Sequence, residues 1–226
     1  MSLILNIDTA LEKAHVSLAK EGKVLHSLSS ESQKEHASFL QSAILKITEI
    51  TDIKLSELDA VAVIAGPGSY TGLRVGMASA KGLCYALKKP LITIGTLELL
   101  TLSALRLLSF DDESILFCPM IDARRMEVFT ALYNNDLITH LVPCALILDE
   151  LSFKKELSKN KIIFFGNGSE KFKSVCKHPN AIFENVKIIP ESMSEHSEMM
   201  FTRNFFTELA YSEPIYLKEF QTVTKK

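Results

Sequence analysis

Hydrophobic and polar positions alternate along the first thirty residues and then change period. Leu3 to Asp8 is an apolar run ending in Asp8-Thr9, His15 to Lys20 alternates, and Lys23 to Ser29 alternates again after Glu21-Gly22. Short turns between the three segments predict an antiparallel meander. Ser32-Gln33-Lys34-Glu35 has the form of a capping box. Behind it Leu40, Ala43, Ile44, Ile47 and Ile50 recur at helical spacing, which predicts a helix from His36 to Ile50. Ala60 to Ala65 is wholly apolar, as in a strand covered on both faces. A glycine turn follows, then a predicted helix over Leu73 to Leu87, a strand over Leu91 to Ile94 and a helix from Thr96.

The second half opens in the same way. Ile115 to Asp122 ends in Ile121-Asp122 as the first run ends in Ile7-Asp8. Met126 to Tyr133 alternates, Asn134-Asn135-Asp136 makes a turn, and Leu137 to Val142 reads as a third strand. Two matching openings predict a duplicated α/β unit, each copy a mixed sheet with helices packed on it. Beyond lie a predicted helix near Leu146 to Leu157, a strand over Lys161 to Phe165 ending in Gly166-Asn167-Gly168, and a last helix around His196 to Ala210. The join falls between Leu105 and Glu113, which divides the chain into 1–108 and 109–226.

Composition narrows the function classes. The chain is 47% hydrophobic and 23% charged, ordinary for a soluble globular protein. Lys+Arg 25 against Asp+Glu 27 gives a formal charge of -2, which argues against strong autonomous nucleic-acid binding. The four cysteines form no Cys-x-x-Cys pair, so reduced thiols in a cytoplasmic protein are expected. Pro90 to Phe110 is apolar enough to suggest a membrane span. It carries Glu98 and Arg106, however, each costing roughly 2.5–3.5 kcal/mol at a bilayer centre.

The candidate chemistry is sparse. Ala65-Gly66-Pro67-Gly68-Ser69-Tyr70-Thr71-Gly72 links a strand to a helix, where phosphate can bind. It fits neither a dinucleotide fingerprint, a P-loop nor a nucleophile elbow, so a structural turn and a ligand loop both stand. Gly76, Ala78, Ala80 and Gly82 give the following helix a run of small residues. Close approach of another backbone accounts for them, either inside the domain or across a protein–protein surface shared with the helix at 36–50. No two histidines lie within four positions, so no metal site is expected. Asp8 and Asp122 end matching strands and serve either a magnesium–nucleotide or their own turns. Lys154, Lys155, Lys159, Lys161, Lys171, Lys173 and Lys177 read as a solvated face, or as a supporting contact to RNA.

The glycine-rich segment through Leu73-Arg74-Val75-Gly76 resembles the signature of the TsaB (YeaZ) family. Ile7-Asp8-Thr9-Ala10, Met120-Ile121-Asp122-Ala123-Arg124-Arg125-Met126-Glu127-Val128 and Glu213-Pro214-Ile215-Tyr216-Leu217-Lys218 agree with it in order. The resemblance implies an actin-like ATPase fold, ribonuclease-H-like and duplicated, each lobe opening with a three-stranded meander. It implies a non-catalytic subunit that works with the homologous TsaD and the ATPase TsaE. That system transfers threonylcarbamoyl from threonylcarbamoyl-AMP to the adenosine 3′ of the anticodon in tRNAs reading codons that begin with A.

In such proteins the partner contact uses the two helices that pack together in the first lobe. Carried over here, it falls on His36, Leu40, Ala43, Ile47, Arg74, Gly76, Met77, Ala80, Lys81 and Cys84. On this expectation Ala80→Arg abolishes pairing and leaves the monomer folded. Asp8, Thr9 and Asp122 would line a nucleotide site, with no tightly bound cofactor and ATP or ADP with magnesium only in the assembled complex. The partners implied are a TsaD-type protein as heterodimer, a TsaE-type ATPase, tRNA indirectly, and a second copy of the chain when alone. Thr96 and Leu100 stand where TsaD-like proteins carry a metal-binding His-x-x-x-His pair, and neither replaces an imidazole. Lys218 stands where the family commonly has Arg. An actin-like nucleotide-dependent kinase or ATPase is the alternative function.

Overall fold

A computed structural model describes residues 2–30, 36–109 and 114–218. The capping box predicted at 32–35 lies outside them. The opening alternation builds β1 (Leu3–Asp8), β2 (His15–Lys20) and β3 (Lys23–Ser29). β1 pairs antiparallel with β2, from Leu3 opposite Lys20 to Asp8 opposite His15. After α1 (His36–Thr51) comes β4 (Ala60–Gly66), which pairs parallel to β1. Then follow α2 (Tyr70–Leu87), β5 (Leu91–Gly95) and α3 (Thr96–Leu107), giving the sheet order β3-β2-β1-β4-β5. Every residue of β4 is buried, because helices cover the central strands on both sides.

Strand alternation divides the core. Leu5, Ile7, Val61 and Val63 face one way and pack with Leu40, Ile47, Met77 and Ala80 of α1 and α2. Ile4, Ala62 and Ile64 face the other way and pack with Leu99 of α3 and with Met193.

The second sheet repeats the first. β6 (Leu116–Asp122), β7 (Glu127–Tyr133) and β8 (Thr139–Ile147) form a meander, followed by α4 (Lys154–Leu157), β9 (Ile162–Phe165), α5 (Ser169–Val175) and β10 (Ala181–Glu184). Its order is β8-β7-β6-β9-β10, the order of the first sheet strand for strand. The core is aromatic: Phe164 meets Phe172 at 4.8 Å and Phe153 at 5.4 Å between ring centroids. The fold is thus a duplicated, ribonuclease-H-like α/β architecture of the actin-like class.

Three expectations are corrected. β8 runs on to Ile147, and the helix expected over 146–157 shrinks to the single turn α4. Leu148 N–H bonds Met126 C=O and continues the hairpin, and Asp149 Oδ1 then accepts from Leu151 N–H to turn the chain. The last helix is α6 (Pro190–Thr202), started by a proline in its first turn and closed by Asn204 at φ 56°, well before Ala210. The units differ from the expected 1–108 and 109–226, because each is discontinuous in sequence. The compact units are 1–109 with 186–214, and 110–185 with 215–226. Met193 enters the first core, Asn6 Nδ2 donates to Ser194 Oγ at 3.3 Å, and Thr207 N–H bonds Leu91 C=O on the edge of β5. Among the described residues no helix is long and apolar enough to cross a membrane.

Candidate functional site

The glycine turn between β4 and α2 is built against the end of β1. Ser69 N–H donates to Ala10 C=O at 2.7 Å, and Thr9 Oγ1 donates to Gly72 C=O at 2.7 Å. A Cβ at position 68 would stand 2.3 Å from Ala10 O, and one at position 76 would stand 2.3 Å from Thr9 Oγ1. Only glycine lets the loop and helix lie this close to the 8–10 segment. Two further backbone donors at the start of α2 are engaged inside the turn: Gly72 N–H on Ser69 Oγ at 3.3 Å and Leu73 N–H on Ser69 C=O at 2.8 Å. The geometry is that of a packing turn.

Asp8 and Asp122 end matching strands in unlike surroundings. Asp8 is 2% exposed, and burial pushes its carboxyl up to about 6 despite the Ala10 N–H at 2.9 Å. Asp122 is exposed. Its partial burial would raise the pKa, but Lys171 Nζ at 2.8 Å and Arg124 N–H at 2.6 Å outweigh that and hold it below the usual range. Each carboxylate serves its own turn, as Asx residues do.

The expected partner-binding residues divide between interior and surface. Leu40, Ala43 and Ile47 of α1, with Gly76, Met77, Ala80 and Cys84 of α2, are buried in the first unit's own core. The spacing that singled them out is the spacing of the inward faces. Gly76 and Ala80 point to Thr9 and the sheet, and burial raises the Cys84 thiol to about 11. An arginine at position 80 would therefore break the core. Lys81 is half-buried, and its Nζ donates to the carbonyls of Ala210 (3.2 Å) and Ser212 (2.9 Å), pinning the segment after α6. Arg74 does lie on the outside, its guanidinium 4.1 Å from the centre of the Tyr70 ring. The side chain of His36 lies outside the described residues.

The outward face was half legible. Of the four small residues, Gly76 and Ala80 turn in while Ala78 and Gly82 turn out, in line with Arg74 and Tyr85 one helical turn apart. A Cβ at position 82 meets nothing within 4 Å. Gln41 Nε2 of α1 donates to Ser79 Oγ at 3.0 Å and ties the two helices together. On the same two helices Leu45 of α1 is 60% exposed and Tyr85 of α2 is 81% exposed. Small residues flanked by exposed apolar ones make a face into which another helix pair can pack closely.

Thr96 and Leu100 are both buried on α3, and the Thr96 hydroxyl has no hydrogen-bond partner among the described residues. Among the described residues no group of His, Cys, Asp and Glu side chains could hold a metal ion. In the second unit Lys218 Nζ reaches both carboxylate oxygens of Glu127, at 2.7 and 3.0 Å.

The family model for TsaD, tRNA N6-adenosine threonylcarbamoyltransferase, matches residues 24–203. The tRNA threonylcarbamoyladenosine biosynthesis protein TsaB of Bacillus subtilis is 31% identical over 178 residues, covering 77% of this chain and 75% of the relative. The protein of the same name from Buchnera aphidicola (Schizaphis graminum) is 30% identical over 206 residues, 89% of this chain and 94% of the relative. A solved Pseudomonas aeruginosa protein, described as similar to peptidase YeaZ, has the same fold at 24% identity. Its TM-score is 0.81, over 96% of this chain and 100% of that one. The chain belongs to the TsaD family of tRNA N6-adenosine threonylcarbamoyltransferase proteins and, within it, to the TsaB (YeaZ) group.

Proposed function

We propose that this chain is the non-catalytic subunit of a tRNA threonylcarbamoyladenosine synthase. It acts in tRNA threonylcarbamoyladenosine biosynthesis, as its TsaB relatives are named for doing. Its partner is a TsaD-type protein, which carries the metal and the chemistry, and a TsaE-type ATPase completes the assembly. The observation that carries the reading is the exposed α1–α2 face, with Arg74, Ala78, Gly82 and Tyr85 on α2 and Leu45 on α1, the two helices tied by Gln41 and Ser79. A symmetrical face on the homologous partner would close a four-helix contact with aromatic anchors at its edge. The same face pairs two copies of this chain when the partner is absent. Threonine and leucine at positions 96 and 100, neither able to replace a metal-binding imidazole, support leaving the transfer step to the partner. Nucleotide and magnesium bind only in the assembled complex, which works in the cytoplasm.

Reconstitution tests this. The TsaD-type protein of the same organism, with TsaE, tRNA and threonylcarbamoyl-AMP, should form modified adenosine only when this chain is added. Equal product without it would refute the role. The kinase or ATPase reading predicts that millimolar Mg–ATP raises the melting temperature of the isolated chain. We expect no shift.

A further inference from the structure

We infer that the tip of the β6–β7 hairpin contacts tRNA phosphates through Arg124 and Arg125. The inference rests on the tRNA-modification reading above and adds a site to it. Both arginines sit in the left-handed region, at φ 70° and φ 48°. Residues with a Cβ avoid that region, and glycine or asparagine is the usual occupant. Two consecutive arginines there are held by a braced turn. Ala123 N–H bonds Glu127 C=O and Glu127 N–H bonds Arg124 C=O, each at 3.1 Å. Arg124 N–H bonds Asp122 Oδ1, and Asp122 N–H bonds Asn167 Oδ1 at 2.9 Å. Lys171 Nζ ties Asp122 Oδ1 to Glu127 C=O, at 2.8 and 3.1 Å.

The brace also sorts the charges. Lys171 covers Asp122 and Lys218 covers Glu127, so both carboxylates of the hairpin are neutralised. Arg124 and Arg125 are exposed, and among the described residues their guanidinium groups have no hydrogen-bond or ion-pair partner. Four cations against two carboxylates leave the tip positive on a chain whose overall charge is -2. Adjacent guanidinium forks match phosphate oxygens, which accept paired N–H donors. An acidic protein surface would meet the same charge, but the tRNA substrate of the assembly supplies a continuous row of phosphates. The favoured partner is therefore RNA backbone, read without sequence preference.

The test uses the full chain in complex with the TsaD-type partner. Affinity for tRNA is measured over a range of salt for wild type, Arg124→Gly/Arg125→Gly and Arg124→Asn/Arg125→Asn. Glycine and asparagine suit the backbone, so both variants should melt at or slightly above the wild-type temperature. Both should bind tRNA roughly tenfold more weakly near 0.1 M salt, with a log–log salt slope shallower by about 1.5–2. A structural role for the arginines predicts the reverse, a lower melting temperature with unchanged tRNA binding. Unchanged affinity and slope would overturn the inference and leave the function reading intact. Weaker pairing with the TsaD-type protein, at constant tRNA affinity, would overturn it in favour of a protein contact. A wild-type complex that fails to form would overturn the function reading and this inference with it.

Discussion

The two units share one sheet and differ in what covers it. Both have the strand order of a meander followed by two parallel strands, and both press a glycine turn onto the end of the first strand. Gly68 lies on the Ala10 carbonyl, and Gly168 lies on the Ile121–Asp122 backbone. Between β3 and β4, however, the first unit inserts the 16-residue α1, and between β4 and β5 the 18-residue α2. The second unit has four-residue α4 and seven-residue α5 in the corresponding places. Phe153, Phe164, Phe172 and Phe183 fill the volume that long helices fill in the first unit. The shared frame is a scaffold, and the proposed functions lie on the unshared parts: the exposed α1–α2 face in one unit, the displayed arginine turn in the other.

The largest expected effects separate the two sides of α2. Ala80→Arg forces a charge without a partner into the first core and should cost at least about 4 kcal/mol, visible as loss of the cooperative urea transition. Gly82→Arg, only two positions on, points to solvent and should leave the melting temperature within about 3 °C. Similar stability losses for the two variants would mean that the inward and outward faces are misassigned. Phe172→Ala should cost about 3–5 kcal/mol in denaturant titrations, because the second unit rests on that ring cluster.

The matched aspartates should respond to pH in opposite directions. Asp8 has its folded pKa raised from 3.8 to about 6, so the native state holds the proton more tightly than the unfolded chain does. Stability from this group therefore falls between about pH 4 and pH 6 and is lowest above 6. Asp8→Asn keeps an acceptor for Ala10 N–H and removes the buried charge. It should add up to about 3 kcal/mol at pH 7.5, with the gain vanishing near pH 4. Asp122 has its folded pKa lowered, so its contribution is present at neutral pH and lost on acidification. Asp122→Asn should destabilise at pH 7.5 by only about 0.5 kcal/mol, because the pair with Lys171 is partly exposed. Parallel pH responses in the two variants would remove the contrast. The most local effect belongs to Lys81→Met, which frees the carbonyls of Ala210 and Ser212. Amide exchange of Thr207 to Ser212 should accelerate by the equivalent of about 1 kcal/mol, with the rest of the first unit unchanged.

The sheet was legible where local pattern decides structure. β1 to β3 follow from alternation and short turns, β4 from its unbroken apolar run, and the duplication from Asp8 and Asp122 at equivalent strand ends. What escaped depends on long-range packing. α6 has a weak apolar face and buries serines 192, 194 and 197, so its return to the first unit is not written in its own periodicity. Leu146 to Leu157 satisfied a helical spacing by chance, while the hairpin with β7 and the Asp149 turn decided otherwise. On α2 the run Gly76, Ala78, Ala80, Gly82 alternates in steps of two and so falls on both sides of a helix. Reading it as one stripe placed the buried half on the surface. The positive φ values of Arg124 and Arg125 contradict residue preference, and only the surrounding brace makes them possible.

The most direct test of the docking face is light scattering after size exclusion, on the TsaD-type protein mixed with wild type or with Gly82→Arg. The account predicts a single heterodimer peak for wild type, and two separate peaks for Gly82→Arg at concentrations where wild type is fully paired. A heterodimer formed equally well by Gly82→Arg would contradict it and place the contact elsewhere on the chain.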